Sequence, residues 1–508
     1  MKKLFSISFF VLLSVTISFA KKVNTKRPNI IFIFADDMGI GDVSHNNGKA
    51  PTPHLDRMAK EGMRFTDAHT SSSVCTPSRY SLLTGRYNWR TRLKSGVFVD
   101  PLSKPLIKKD ETTVASLLKG VGYHTACVGK WHLGIGWQKL PQGQSVEGQK
   151  GRAWNIDYTK PAITPTSNGF DYYFGIAASL DMPPYVYIEN ERAVSVPTHS
   201  KTFHTPARMG ACAADFDAKN CLRDFAAKSV EYIDERAKED KPFFLYLPLT
   251  SPHTPIVPSE KWQGKSGLGQ YGDFLMETDW VVGEVLKALD KNDLNENTLI
   301  LFSTDNGCSK TADIPDLISK GHYPNGHLRG SKSDIFEGGH RVPFIVRWPA
   351  VIKAGGETKR LTCMTDFIAT CAEIIGKKLE EDEGVDAISY LSTLKDPSFV
   401  EDRTTLVSHS ISGIFAIRKG NRKLLLTRGS GGWGPPKGAA LKGLPDVQLY
   451  DLSKDLGEME NLQGEEPEEV KELTDLLQSY IDLGRSTPGK PQENDGNVRM
   501  RKSKPNKS

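Results

Sequence analysis

A cysteine among small hydroxyl residues opens the most distinctive stretch of the sequence, Ser73-Val74-Cys75-Thr76-Pro77-Ser78-Arg79, which continues to Leu83-Thr84-Gly85-Arg86. Pro77 fits a first helical turn, where a missing N–H costs nothing. Arg79 follows one turn in, and a helix N-terminus beside an arginine is an anion site. The segment therefore offers an anion a sulfur nucleophile, or a group made from that sulfur. A buried structural thiol is the bland alternative for Cys75. Two further pairs, Asp36-Asp37 and Asp305-Asn306, supply hard oxygen ligands. Carboxylate plus amide oxygen suits Ca²⁺ or Mg²⁺ rather than a soft metal. Taken singly, the first pair reads as a helix N-cap and the second as a turn. Lys130, His132, His253 and Lys332 add cations and proton carriers of the kind that stabilise developing negative charge.

These residues need elements to position them. Asn29–Ala35 is wholly apolar and reads as a strand buried on both faces, ending in Asp36-Asp37. Residues 125–128, 243–247 and 298–303 repeat the design and end in Gly129-Lys130-Trp131-His132, Ser251-Pro252-His253 and Thr304-Asp305-Asn306. Helical patterns at 113–119, 222–238, 273–291 and 365–375 alternate with them, and 344–348 returns to the sheet. The pattern predicts an α/β fold: a large, mostly parallel sheet flanked by helices, with ligands at the carboxyl ends of its strands. Residues 137–220, rich in Gly, Pro and Ser, are expected to line a cleft as loops rather than form core. From about Asp402, strand-like runs at 404–407, 414–418 and 423–426 predict a small antiparallel sheet covered by an amphipathic helix over 467–483. The expected organisation is a signal peptide at 1–20, a catalytic unit at 21–401, a C-terminal subdomain at 402–485 and a disordered tail at 486–508.

Cys75-x-Pro77-x-Arg79 followed by Leu83-Thr84-Gly85-Arg86 resembles the signature of type I sulfatases, in the alkaline phosphatase superfamily. So do Gly129-Lys130-Trp131-His132, Pro252-His253-Thr254-Pro255, Arg329-Gly330-Ser331-Lys332 and Glu337–Pro343, and the likeness covers roughly residues 27–485. The resemblance implies that Cys75 is oxidised to formylglycine by a formylglycine-generating or equivalent maturation enzyme. Its hydrated aldehyde would attack the sulfur of a sulfate ester. One divalent cation, Ca²⁺ with Mg²⁺ as the alternative, would be held by Asp36, Asp37, Asp305, Asn306 and the modified Cys75. Arg79 would support the diol, Lys130 and Lys332 would contact sulfate, and His132 would help expel it. His253, or Lys332, would protonate the departing alcohol. Ser179 falls where the family places a serine near its site, and Asp181, Tyr185, His322 and Arg341 are candidate readers of the leaving group. By the same resemblance the substrate is a sulfated carbohydrate or another sulfate ester. A phosphatase or phosphodiesterase of the same superfamily and a non-catalytic carbohydrate-binding relative are the alternatives.

Composition bounds the rest. A net charge of +5 over 508 residues is small and argues against a dedicated nucleic-acid binder. Lys2-Lys3 and the apolar run from Leu4 to Ala20 read as a secretory signal cut after Ala20, so the protein is expected to be exported, periplasmic or secreted, with no stable membrane span. The cysteine count of 7 is odd, which fits one reserved for chemistry, and Cys212 and Cys221 are close enough in sequence to pair.

Overall fold

The computed structural model describes residues 27–141, 149–400 and 402–500; the expected signal segment lies outside them. Four apolar strands, Asn29–Asp36 (β1), His124–Lys130 (β2), Phe243–Pro252 (β3) and Thr298–Thr304 (β4), run parallel in the spatial order β4-β1-β3-β2. They form the centre of a 10-stranded sheet. Tyr172–Ile176 extends it in parallel beside β2, whereas Phe344–Arg347 joins β4 antiparallel. Successive side chains of a strand point to opposite faces, and the aromatic contacts show both faces covered. Phe244 meets Phe367 of the helix Asp366–Ile374 at 6.0 Å, while the adjacent Phe243 meets Tyr232 of the helix Cys221–Arg236 at 5.8 Å. A sheet covered on both sides explains why its strands read as unbroken apolar runs.

The C-terminal region forms a four-stranded antiparallel sheet from Thr405–His409, Phe415–Lys419, Arg422–Leu425 and Gln448–Asp451. The helix Pro467–Asp482 buries Leu473, Leu477 and Ile481 against it. Its core also includes Tyr87, Trp89, Leu361 and Cys363 from the larger part of the chain.

Two expectations are corrected, and the open pairing of Cys212 with Cys221 is answered. Residues 137–220 are not merely cleft loops: Trp137, Trp154, Tyr158, Tyr173 and Tyr185 join the main core, and the segment contributes strands to the main sheet. Its aromatic residues, spread among glycines and prolines without a period, carry that burial. The segment 486–500 is not a disordered tail. Ser486 Oγ donates to Asp386 at 2.8 Å, Asp495 N donates to Arg90 O at 2.7 Å, and Val498 and Met500 pack on the C-terminal core. Cys212 and Cys221 are not paired; both are buried free thiols, and Cys221 Sγ accepts from the Tyr187 hydroxyl at 3.4 Å.

Candidate active site

The carboxyl ends of all four central strands converge on one buried cluster. Asp36 is the last residue of β1, and Asp37 turns the chain with φ of +66°. Lys130 ends β2, His253 follows β3, and Asp305 and Asn306 follow β4. The loop carrying Lys332 is held against the Cys75 segment by Ser333 N donating to Ser73 O at 2.7 Å. Asp37, His132 (+58°) and Ser333 (+85°) occupy the left-handed region, which is uncommon for residues other than glycine.

Cys75 begins the helix Cys75–Thr84 (α1), every residue of which is buried. Val74 precedes it in extended conformation with no side-chain cap, so the first N–H groups of α1 remain available to a ligand. At the other end Gly85 closes the helix with φ of +66°, and a Cβ there would lie 2.3 Å from Ile368 Cγ2. The glycine of the Leu83-Thr84-Gly85-Arg86 motif is therefore a packing requirement. Arg86 lies at this far end, 3.6 Å from Glu111 and away from the cluster.

Inside the cluster every cation meets a carboxylate. Lys130 Nζ is 2.5 Å from Asp36 Oδ2, and Lys332 Nζ is 2.7 Å from Asp37 Oδ1. Arg79 donates to Asp305 Oδ2 from Nη2 at 2.7 Å and from Nε at 3.1 Å. His253 Nε2 lies 3.7 Å from Asp37 Oδ2, with its Nδ1 2.5 Å from Thr254 O. Burial lifts the Asp36 carboxyl, but Lys130, His253, Arg79 and Lys332 outweigh it and hold the group well below the usual carboxylate range. Asp305 is pushed up to about 7 by burial and by Asp36. Burial also pushes the Cys75 thiol up to about 11, although Lys130 and Lys332 pull the other way. As a plain thiol it is a weak nucleophile at neutral pH.

His132 is buried, and its Nε2 donates to Phe98 O at 2.8 Å. Its Nδ1 is then an unprotonated acceptor, and it has no partner among the described residues. Burial, and next Lys130, keep this imidazole well below its ordinary pKa. Ser179 and Asp181 follow Ala177, whose carbonyl accepts from His132 N at 3.0 Å. Ser179 Oγ and Asp181 Oδ1 are buried without partners among the described residues.

The remaining candidates are placed elsewhere. Arg341 donates to Thr66 O at 2.6 Å and sits 3.3 Å from Glu337, in a charged cluster with Asp67 and Arg418 at the junction with the C-terminal sheet. Tyr185 is buried and donates to Arg208 O at 2.8 Å. His322 is fully buried; Nε2 donates to Asp42 at 2.8 Å and Nδ1 accepts from Lys49 N at 3.1 Å, so neither nitrogen is left for a substrate. This network was missed from sequence. Asp42 also accepts from Gly39 N and from the Tyr271 hydroxyl, each at 2.6 Å, and so fixes the turn that carries Asp37. Its members lie far apart in the chain, so no local motif announces them.

The donor set fits a hard cation. Asp36, Asp37 and Asp305 are brought together at full burial, and Asp36 Oδ1 and Asn306 Oδ1 have no hydrogen-bond partner among the described residues. Buried carboxylates this close repel unless a cation intervenes. A second cluster of ligand types, His69, Glu337 and His340, is already filled by an ammonium: Lys423 Nζ sits 2.9 Å from Glu337 and 3.1 Å from His340 Nε2.

Comparison with known proteins places these features in context. The family model described as Sulfatase matches residues 28–377. The sequence is 34% identical over 495 residues to N-acetylgalactosamine-6-O-sulfatase of Bacteroides thetaiotaomicron, covering 90% of this chain and 93% of that one. It is 33% identical to human arylsulfatase A, covering 86% and 84%. A solved structure from work on glycosaminoglycan metabolism by Bacteroides thetaiotaomicron superposes with a TM-score of 0.75 at 32% identity, covering 89% of this chain and 99% of that one.

Proposed function

The chain belongs to the sulfatase family of sulfuric ester hydrolases, and on that premise we propose that it removes sulfate from sulfated carbohydrates through a formylglycine made from Cys75. One divalent cation, Ca²⁺ or Mg²⁺, would be held by Asp36, Asp37, Asp305, Asn306 and the modified residue 75. The observation that carries the reading is the placement of Cys75. It sits at the uncapped start of α1, within electrostatic reach of Lys130 and Lys332, in a cluster where Asp36 Oδ1 and the amide oxygen of Asn306 lack partners among the described residues.

The modification supplies a hydrated aldehyde, whose one hydroxyl attacks sulfur and whose other allows sulfate to be expelled without a second water. The cation supplies positive charge opposite the sulfate oxygens. The chain does the rest. Lys130 and Lys332 neutralise the sulfate and hold it in line with residue 75. Arg79 keeps Asp305 in place from within α1. His132 takes a proton at Nδ1, the nitrogen its bond to Phe98 leaves open. His253 or Lys332, both beside Asp37, delivers a proton to the leaving oxygen.

The relative named for N-acetylgalactosamine 6-O-sulfate makes a 6-O-sulfated amino sugar the first substrate to test. Residues 21–401 would be the catalytic unit and 402–485 its C-terminal support. A formylglycine-generating or equivalent enzyme would be the maturation partner, and export to the periplasm or beyond would follow from the N-terminal pattern. Among the described residues no helix is long and apolar enough to cross a membrane. The test is release of free sulfate from a panel of sulfated saccharides by the matured protein. Release of phosphate from phosphate esters, with no sulfate from any saccharide, would sink the reading.

A further inference from the structure

We propose that Arg152 and Arg208 form an anion-reading subsite beside the site. The preferred substrate would then be a sulfated oligosaccharide with a second anionic group, a carboxylate or another sulfate, on the neighbouring sugar. This rests on the sulfatase reading above and deepens it.

Both arginines are tied to the wall that carries His132. The carbonyl of Phe98 accepts from His132 Nε2 at 2.8 Å, and the next carbonyl, Val99 O, accepts from Arg152 Nη1 at 3.3 Å. Arg208 Nε lies 3.8 Å from Asp181 Oδ2, on the loop whose start accepts from His132 N. The segments carrying the two arginines pair directly: Arg152 N donates to Met209 O at 2.9 Å, and Ala211 N donates to Arg152 O at 3.0 Å.

Their bonding is unlike that of the buried arginines. Arg79, Arg90, Arg360, Arg403 and Arg418 each donate to a carboxylate. Among the described residues Arg152 meets only a backbone carbonyl, and the Arg208 guanidinium makes no hydrogen bond, Asp181 being beyond that range. Both are exposed. An exposed guanidinium fork with free donors matches a carboxylate or sulfate in two parallel bonds. Asp181, which Arg208 faces, belongs to a loop in which Ser179 Oγ and Asp181 Oδ1 are buried and have no partner among the described residues. Arg152 lines a cavity of about 530 Å³ with Val99, Leu102, Trp154 and Asn155, within the size range of small-ligand pockets. Asp100 also lines it; its carboxylate accepts from Leu102 N at 3.0 Å.

The test compares kcat/KM on three probes: N-acetylgalactosamine 6-sulfate, the same sugar linked to a glucuronate, and the same sugar linked to a second sulfated sugar. Wild type should favour at least one linked probe by about tenfold or more, a gap that narrows in high salt. The probe favoured tells carboxylate from sulfate. Arg152→Gln with Arg208→Gln should shrink the preference to under about threefold, chiefly through KM, and the paired lysine variant should recover part of it. Equal rates on all probes with wild type, or an equal loss on all three in the double variant, would overturn the subsite. No sulfate from any probe with wild type would instead overturn the sulfatase reading, and the subsite with it.

Discussion

Lys332 Nζ stands 2.7 Å from Asp37 Oδ1 and 2.8 Å from Asp37 Oδ2, a contact between residues 295 apart in sequence. One ammonium thus spans both oxygens of a carboxylate proposed to bind a cation, and it also faces residue 75 closely enough to act on its charge. The same group stabilises the ligand cluster and is positioned to contact the sulfate.

Lys332→Ala should therefore remove a preorganised charge from the reacting ester. The expected loss in kcat/KM is about 10²–10³-fold, as for removal of one donor of this kind. Steady-state kinetics on a sulfated sugar checks it. A loss under threefold would mean that Lys332 serves only the carboxylates.

Arg79 is buried within α1 and donates twice to Asp305. Arg79→Ala would leave Asp305 and Asp36 short of a cation, and breaking one side of a buried pair costs about 3–5 kcal/mol. Thermal or denaturant unfolding should show that loss. Adding Asp305→Asn should restore part of it, because the neutral amide no longer needs the guanidinium. Unchanged stability in Arg79→Ala would contradict the role assigned to the pair.

Much of this was legible in the sequence, for reasons particular residues make clear. Each central strand is apolar because both faces are covered, and each ends in residues such as Asp36-Asp37 and Asp305-Asn306 that burial would penalise without a purpose. What stayed hidden depends on side chains meeting across long separations. Glu337 and Arg341 sit in a motif that resembles a catalytic signature, yet they bond Lys423 and Asp67 where the C-terminal sheet docks. His322 is surrounded by glycine and lysine in sequence and is nonetheless fully buried on Asp42. The order of 486–500 comes from Arg90, Asp386 and the C-terminal core, none of which composition can reveal.

His253→Gln should act selectively. A proton donor matters most when the leaving group is a poor one. The variant should lose about 10²-fold or more on a sugar sulfate and much less on a nitrophenyl sulfate. Equal losses on the two esters would shift the acid role to Lys332.

His409 is fully buried at the edge of the C-terminal sheet, with Nδ1 2.9 Å from Ser410 O, and burial pushes it down to about 4. A histidine depressed in the fold contributes stability that is full above its ordinary pKa of about 6.5 and is lost as pH falls toward 4. Between pH 7.5 and pH 5 the loss from this group is about 2 kcal/mol. Unfolding of wild type and His409→Gln at the two pH values measures it. The variant should show the shallower fall, and identical slopes would contradict the assignment.

The most direct test is the mass of the peptide spanning Cys75 in protein that is releasing sulfate. Replacing the thiol by an aldehyde makes that peptide about 18 Da lighter, as fixed by loss of sulfur and gain of oxygen. The lighter species is the predicted result. An unmodified thiol at residue 75 in protein that still hydrolyses sulfate esters would contradict the proposed chemistry at its first step.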